Sequence, residues 1–241
     1  MNTIKFDSGR VKMIAHRGLS GIERENTMSA FVAAGNREKY FGIETDVHKT
    51  RDGKYVIFHD DNTSRVGIDS LVIEESTFDT LRKLQLTDMD GKRGRIDLLI
   101  PTVDEYISIC RKYGKTCVFE LKNEFEEEDV YRLAEMFEKA DYMDHVIFIS
   151  FQLVNLVYLR RRYPDVNAQF LIEDEWKDEY FDDLKNNSLG LDIDHQLLTK
   201  EIADTVHAMG KEVNVWTVNT VEDAEKCVKL GVDYITTNIL E

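Results

Sequence analysis

Four short stretches set ionisable side chains at the ends of apolar, β-branched runs: His16-Arg17-Gly18, Glu44-Thr45-Asp46, His59-Asp60 and Glu120-Leu121-Lys122. In an extended strand residues i and i+2 share a face, so Glu44 goes with Asp46 and Glu120 with Lys122. One charged residue ending a strand is ordinary. Four such ends with three inward acids are not, because buried charges need partners. Glu44, Asp46 and Glu120 therefore predict one hard divalent cation held by oxygen, Mg²⁺ or Ca²⁺. His16 and His59, with an unperturbed pKa of ~6.5, suit acid and base. Arg17 and Lys122 suit the oxygens of a phosphate. Strict alternation turns Arg17 away from His16, so both reach one site only if the strand breaks there, which Gly18 permits.

Such side chains need a frame. Candidate strands cover residues 11–16, 42–47, 55–59, 116–122, 146–151, 168–172, 190–194, 213–218 and 234–237. Helical patterns cover 28–40, 103–113, 127–139, 153–162, 176–186, 200–209 and 221–230, with Gly114, Gly210 and Gly231 placed to stop three of them. This alternation is that of βα units and a mostly parallel sheet. Nine strands are one too many for a (β/α)₈ barrel. The run from His48 to Lys54, with its Asp52-Gly53 turn, is too short for a parallel crossover, so 55–59 must return antiparallel beside 42–47. Eight parallel strands remain. The expected architecture is a TIM barrel with one antiparallel hairpin strand, forming a single domain over 1–241; an open doubly wound sheet is the alternative. Residues 60–100 break the rhythm and, following His59, are expected to form an insertion capping the active site.

The chain of 241 residues carries 31 basic and 46 acidic side chains, a net charge of −15. That balance argues against a nucleic-acid partner, and an anionic ligand would need local cations or a metal to overcome the field. No apolar run approaches the ~20 residues of a membrane span, and the N-terminus lacks the apolar core of a signal peptide. Cys110, Cys117 and Cys227 form no CxxC pair and read as buried free thiols, so a cytoplasmic location is expected.

Taken in order, the motifs resemble those of the glycerophosphodiester phosphodiesterases over nearly the whole chain. They are Ala15-His16-Arg17-Gly18, Glu25-Asn26-Thr27, Glu44-Thr45-Asp46, Phe58-His59-Asp60, Ile100-Pro101-Thr102-Val103, Glu120-Leu121-Lys122, Ser150-Phe151 and Trp216-Thr217-Val218-Asn219. The resemblance implies a barrel that hydrolyses a glycerophosphodiester to glycerol 3-phosphate and an alcohol. It also implies Glu44, Asp46 and Glu120 as metal ligands, His16 and His59 as the acid/base pair, Arg17 and Lys122 on the phosphate, and Trp216 against the glycerol. His59 is taken as base and His16 as acid, with a cyclic glycerol phosphate on the route. Arg24 stands where the family has Pro, Thr63 where it favours Leu, and little chain follows residue 237; Arg65 matches. These departures bear on the cap and on substrate choice. Lysophospholipids or sugar-phosphate diesters are alternative substrates, and a non-catalytic phosphodiester-binding barrel is a third reading.

Other residues admit blander readings. Asn26 is equally a helix cap or a site residue, and Ser150 equally pocket or packing. His48 reads as solvent-facing, His145 as a turn residue and His207 as structural. Asp192, Asp194 and His195 invite a second metal site that the family pattern does not require. Arg160-Arg161-Arg162 read as a solvated face, and Trp176 as packing.

Overall fold

In the computed structural model, which describes residues 2–241, nine strands form one sheet. The first part of the chain runs β1 (Lys12–Ala15), α1 (Met28–Gly35), β2 (Tyr40–Lys49), β3 (Tyr55–Ile57), α2 (Phe78–Lys83) and α3 (Val103–Tyr113). Then come β4 (Thr116–Leu121), α4 (Glu127–Lys139), β5 (Val146–Ser150), α5 (Leu153–Arg162), β6 (Asn167–Ile172) and α6 (Glu179–Asn186). The last are β7 (Gly190–Asp194), α7 (Lys200–Ala208), β8 (Val213–Trp216), α8 (Val221–Leu230) and β9 (Tyr234–Thr237).

Strand β1 pairs in parallel with both β2 and β9, which closes β1, β2 and β4 to β9 into a TIM barrel and excludes the open sheet. Strand β3 lies outside the ring, antiparallel to β2, with Val47 opposite Ile57. Gly53, at φ +72°, turns the hairpin between them.

Local chemistry explains most element ends. Thr102 and Glu105 form a reciprocal capping box that starts α3, and Gly114 in the left-handed conformation ends it. Helix α1 stops at Gly35, short of the expected residue 40, because Asn36 takes the C-cap and Tyr40 already begins β2. Trp176 lies ahead of α6 and packs edge-on to Tyr180 and Phe181. The main core lies between barrel and helices, where Phe119 meets Phe137 and Phe148 edge-on with centroids 5.1 and 6.0 Å away. Such aromatic pairs add about 0.5–1.5 kcal/mol each beyond their burial. Residues 60–100 build their own apolar cluster around Ile73, Leu81, Leu86 and Leu98, against Val56 and Phe58. Their charged stretch latches onto the loop before α1 and onto α1 itself: Arg24 Nε donates to the Thr87 carbonyl at 2.6 Å, Arg95 meets Glu23 at 2.7 Å, and Ser29 donates to Asp97 at 2.7 Å. Among the described residues, no helix is long and apolar enough to cross a membrane.

Candidate active site

A cavity of about 390 Å³ opens at the C-terminal ends of the barrel strands. His16, Arg17, Glu44, His59, Glu120 and Lys122 line one side; Ile149, Phe151, Leu171 and Trp216, with Glu173, Asp192 and Thr236, line the other. Asp46 is buried directly behind Arg17 and Lys122, 3.8 Å from Arg17 Nε and 3.7 Å from Lys122 Nζ. All eight residues singled out from the sequence are therefore brought together. None of the cavity-lining residues comes from 60–100.

The end of β1 shows how His16 and Arg17 share a face. Arg17 adopts φ +53° and Gly18 φ +73°, so alternation breaks where both are needed. A Cβ at Gly18 would lie 2.7 Å from the backbone of Ala30, so only glycine lets α1 approach this closely. The Arg17 amide donates to Glu44 at 2.7 Å, which fixes one carboxylate against the turn.

Glu44, Asp46 and Glu120 each present an oxygen within 4.8 Å of the others. Asp46 Oδ1 and Glu120 Oε1 are buried without a hydrogen bond among the described residues; Lys122 Nζ lies 2.9 Å from Glu120 Oε1 but is not aligned to donate. Burial and the neighbouring acids push Glu44 well above the usual carboxylate range and Glu120 up to about 8. Asp46 stays low because Arg17, His59 and Lys122 outweigh its burial. Three clustered carboxylates with unused lone pairs fit a hard divalent cation.

His16, Arg17, Asp46 and His59 are each held by a partner. Asn238 Oδ1 accepts from His16 Nδ1 at 2.7 Å and from Ser20 Oγ at 2.8 Å. Asp60 holds His59 Nδ1 at 2.6 Å. Glu25 accepts from Arg17 at 2.9 Å, and Arg65 bridges Glu25 and Asp60 with three contacts of 2.7 Å and one of 3.0 Å. Asn26, at φ +51°, donates to Asp46 at 2.7 Å, whereas the cap of α1 is Thr27. Burial and Arg17 lower His16 to about 4, and burial lowers His59 as well.

Several lesser expectations change. His48 is fully buried rather than solvent-facing, and its Nε2 lies 3.1 Å from the His59 carbonyl. Ser150 donates to the Leu121 carbonyl at 2.7 Å and is absent from the cavity wall, so its part is packing. His207 binds Asp233 at 3.0 Å, and His145 ends a single 3-10 turn with its ring tilted against Tyr142. Arg160 binds the carbonyls of Asn187, Pro164 and Ser188 instead of facing solvent idly. Among the described residues, Glu44, Asp46 and Glu120 are the one cluster with metal-ligand spacing; Asp192, Asp194 and His195 do not make a second.

Residues 16–241 match the glycerophosphoryl diester phosphodiesterase family. The chain belongs to that family. A glycerophosphodiester phosphodiesterase of Bacillus altitudinis is 26% identical over 238 residues, covering 94% of each chain. The fold is shared with a phosphodiesterase of Oleispira antarctica in complex with the product sn-glycerol-3-phosphate: TM-score 0.84, 26% identity, 98% of this chain and 96% of that one. A Galdieria sulphuraria structure, described as a putative glycerophosphodiester phosphodiesterase, superposes with TM-score 0.81 at 26% identity, covering 95% and 94%. As a member of the family the chain is a phosphoric diester hydrolase.

Proposed function

We propose that the enzyme hydrolyses glycerophosphodiesters to glycerol 3-phosphate and an alcohol, with one divalent cation and a pair of histidines. The observation that carries this is the set of three acids within 4.8 Å of one another, flanked by His16 and His59 in one cavity. Glu44, Asp46 and Glu120 would hold Mg²⁺ or Ca²⁺. The bound ion would supply stabilisation of charge on the phosphoryl oxygens. Arg17 and Lys122 direct their charge at the same oxygens, and Trp216, edge-on to Phe151 at 5.7 Å, offers a flat apolar wall for the glycerol.

The hydrogen bonds favour the opposite division of acid and base from the one expected from sequence. The Asn238 carbonyl keeps the proton of His16 on Nδ1, leaving the Nε2 lone pair free to take a proton. The Asp60 carboxylate favours a charged His59, which suits the acid. His16 takes the proton of the glycerol hydroxyl adjacent to the phosphate, and that oxygen bonds to phosphorus. The bond to the alcohol oxygen breaks and His59 protonates it. Intramolecular attack of this kind can contribute up to ~7–11 kcal/mol. Water then opens the cyclic phosphate with the two roles exchanged. The insertion at 60–100 acts on this site through Arg65, its link to Glu25 and Asp60, within a single domain. The three buried thiols support a reducing, cytoplasmic place of work.

The test is turnover of a glycerophosphodiester panel by chelated protein with each metal restored separately, followed by phosphorus NMR. Activity should vanish on chelation, return with Mg²⁺ or Ca²⁺, and pass through a cyclic phosphate. Full activity after exhaustive chelation would overturn the metal assignment. Normal turnover of a diester lacking the neighbouring hydroxyl would overturn the cyclic route.

A further inference from the structure

Beneath Trp216 the cavity reaches a polar group that the chemistry above does not use. Asp192 lines the cavity, is 2% exposed, and its Oδ1 has no hydrogen-bond partner among the described residues. Parallel register sets Asp194 beside Trp216 and Asp192 beside Asn214. Asp192 therefore lies two residues, about 7 Å, deeper than the tryptophan. Tyr234 and Ile147, each two positions below a cavity-lining residue on its own strand, are buried and pack with Ile14 and Val118. The barrel is filled there, so whatever lies along Trp216 must end near Asp192.

The character of that end follows from charge. Burial pushes Asp192 well above the usual carboxylate range, and the Asn214 amide, which points its donor toward the carboxyl, opposes this only in part. No lysine or arginine pairs with Asp192 among the described residues. A neutral carboxylic acid offers one donor and one acceptor. A hydroxyl is the ligand group that answers both, whereas a cation needs the ionised form.

We propose that Asp192 receives the free terminal hydroxyl of the substrate's glycerol, the one remote from the phosphate, and so selects deacylated diesters over lysophospholipids. The proposal rests on the reading above that glycerol packs against Trp216. An ester at the same oxygen has no proton to give and continues into an acyl chain, for which the filled barrel leaves no path. The proton of the buried Asp192 carboxyl would then be left without an acceptor, the situation in which polar sites discriminate most strongly.

Three probes share one head group: glycerophosphocholine, its analogue with hydrogen in place of the remote hydroxyl, and lysophosphatidylcholine. The wild-type enzyme should turn over the deoxy analogue with a kcat/KM at least about tenfold lower than the parent, and lysophosphatidylcholine about a hundredfold lower. Asp192→Asn, whose amide also donates and accepts, should keep the tenfold preference, and Asp192→Val should bring the ratio of parent to deoxy analogue near one. Equal kcat/KM on parent and deoxy analogue by the wild type overturns the inference without any variant, even if Asp192→Val fails to fold. A tenfold preference retained by Asp192→Val overturns it as well. Failure of the underlying reading looks different: no turnover of glycerophosphocholine with either metal, or a Trp216→Ala variant whose KM is unchanged.

Discussion

The cavity wall carried by β1 to β4 is charged and hydrogen-bonded almost throughout, whereas the wall carried by β5 to β9 is apolar except for Glu173, Asp192 and Thr236. On the first side His16, Arg17, Asp46 and His59 each lean on a second side chain that fixes their direction. On the second side Trp216 Nε1 and Asp192 Oδ1 are buried without partners among the described residues. A wall on which most side chains are oriented by protein partners, with spare carboxylate oxygens turned toward one another, suits one reaction whatever the substrate carries. A wall with few polar groups, left free, suits the recognition of shape and of single hydroxyls. In the proposed mechanism the two sides divide chemistry from selection.

The sharpest way to break that division is to neutralise the charged side. Glu120→Gln should lower turnover by about 10³-fold or more by weakening cation binding. In chelated protein the same change should raise the melting temperature, because it removes a carboxyl whose ionisation is opposed by burial and by the neighbouring acids. A lower melting temperature with chelator present would mean that the acids are not in conflict without metal. Next in size, His16→Ala and His59→Ala should each cost about 10²-fold in kcat while metal binding, followed by calorimetry, persists. An aryl leaving group needs little protonation, so it should rescue His59→Ala selectively. Rescue of His16→Ala instead would restore the division of roles expected from sequence.

On the selective side the effects should be smaller and fall on KM. Trp216→Ala should raise KM about tenfold across a diester panel and leave kcat within about threefold. A collapse of kcat would move Trp216 to the chemical side. The smallest effect tests how the insertion reaches the site. Burial works against ionisation of Glu25 and Asp60, but Arg65, with Arg17 and His59, outweighs it and holds both at about 2. Folded values below unfolded ones mean that this stabilisation is present above the ordinary carboxylate range and is lost as pH falls toward 2. Arg65→Ala should thus be destabilised by about 1 kcal/mol at pH 7, given the exposure of Arg65, with the difference from wild type shrinking on acidification. A pH-independent difference would point to lost packing instead.

Much of the charged side is legible in sequence because its residues end strands in tight clusters: Glu44 with Asp46, Glu120 with Lys122, His16 with Arg17. The hairpin could be derived from connection length alone, and α3 from its capping residues and Gly114. The supporting partners could not. Asn238 lies 222 positions from His16, so no local pattern joins them. Asn26 looks like a cap until its left-handed backbone turns the amide toward Asp46. His48 reads as exposed because alternation puts it on the face of Glu44 and Asp46 but says nothing about the Asn123 and Glu74 that cover it there. Asp192 was visible as an acid on β7, but its significance depends on having no cation beside it, a property of the fold and not of the motif.

The hairpin strand has a consequence for the order in which the molecule becomes active. His59 is carried by a turn whose partners, Val47 and Ile57, are ten positions apart along the chain. Contacts of such short loops cost little closure entropy and form early. His16 acquires Asn238 only when β9 docks on β1, the contact of longest sequence separation in the ring. One histidine is thus seated by a local event and the other by the final closure. During refolding, helix content and the environment of His59 should recover first, and turnover should return with the joining of the two ends of the sheet.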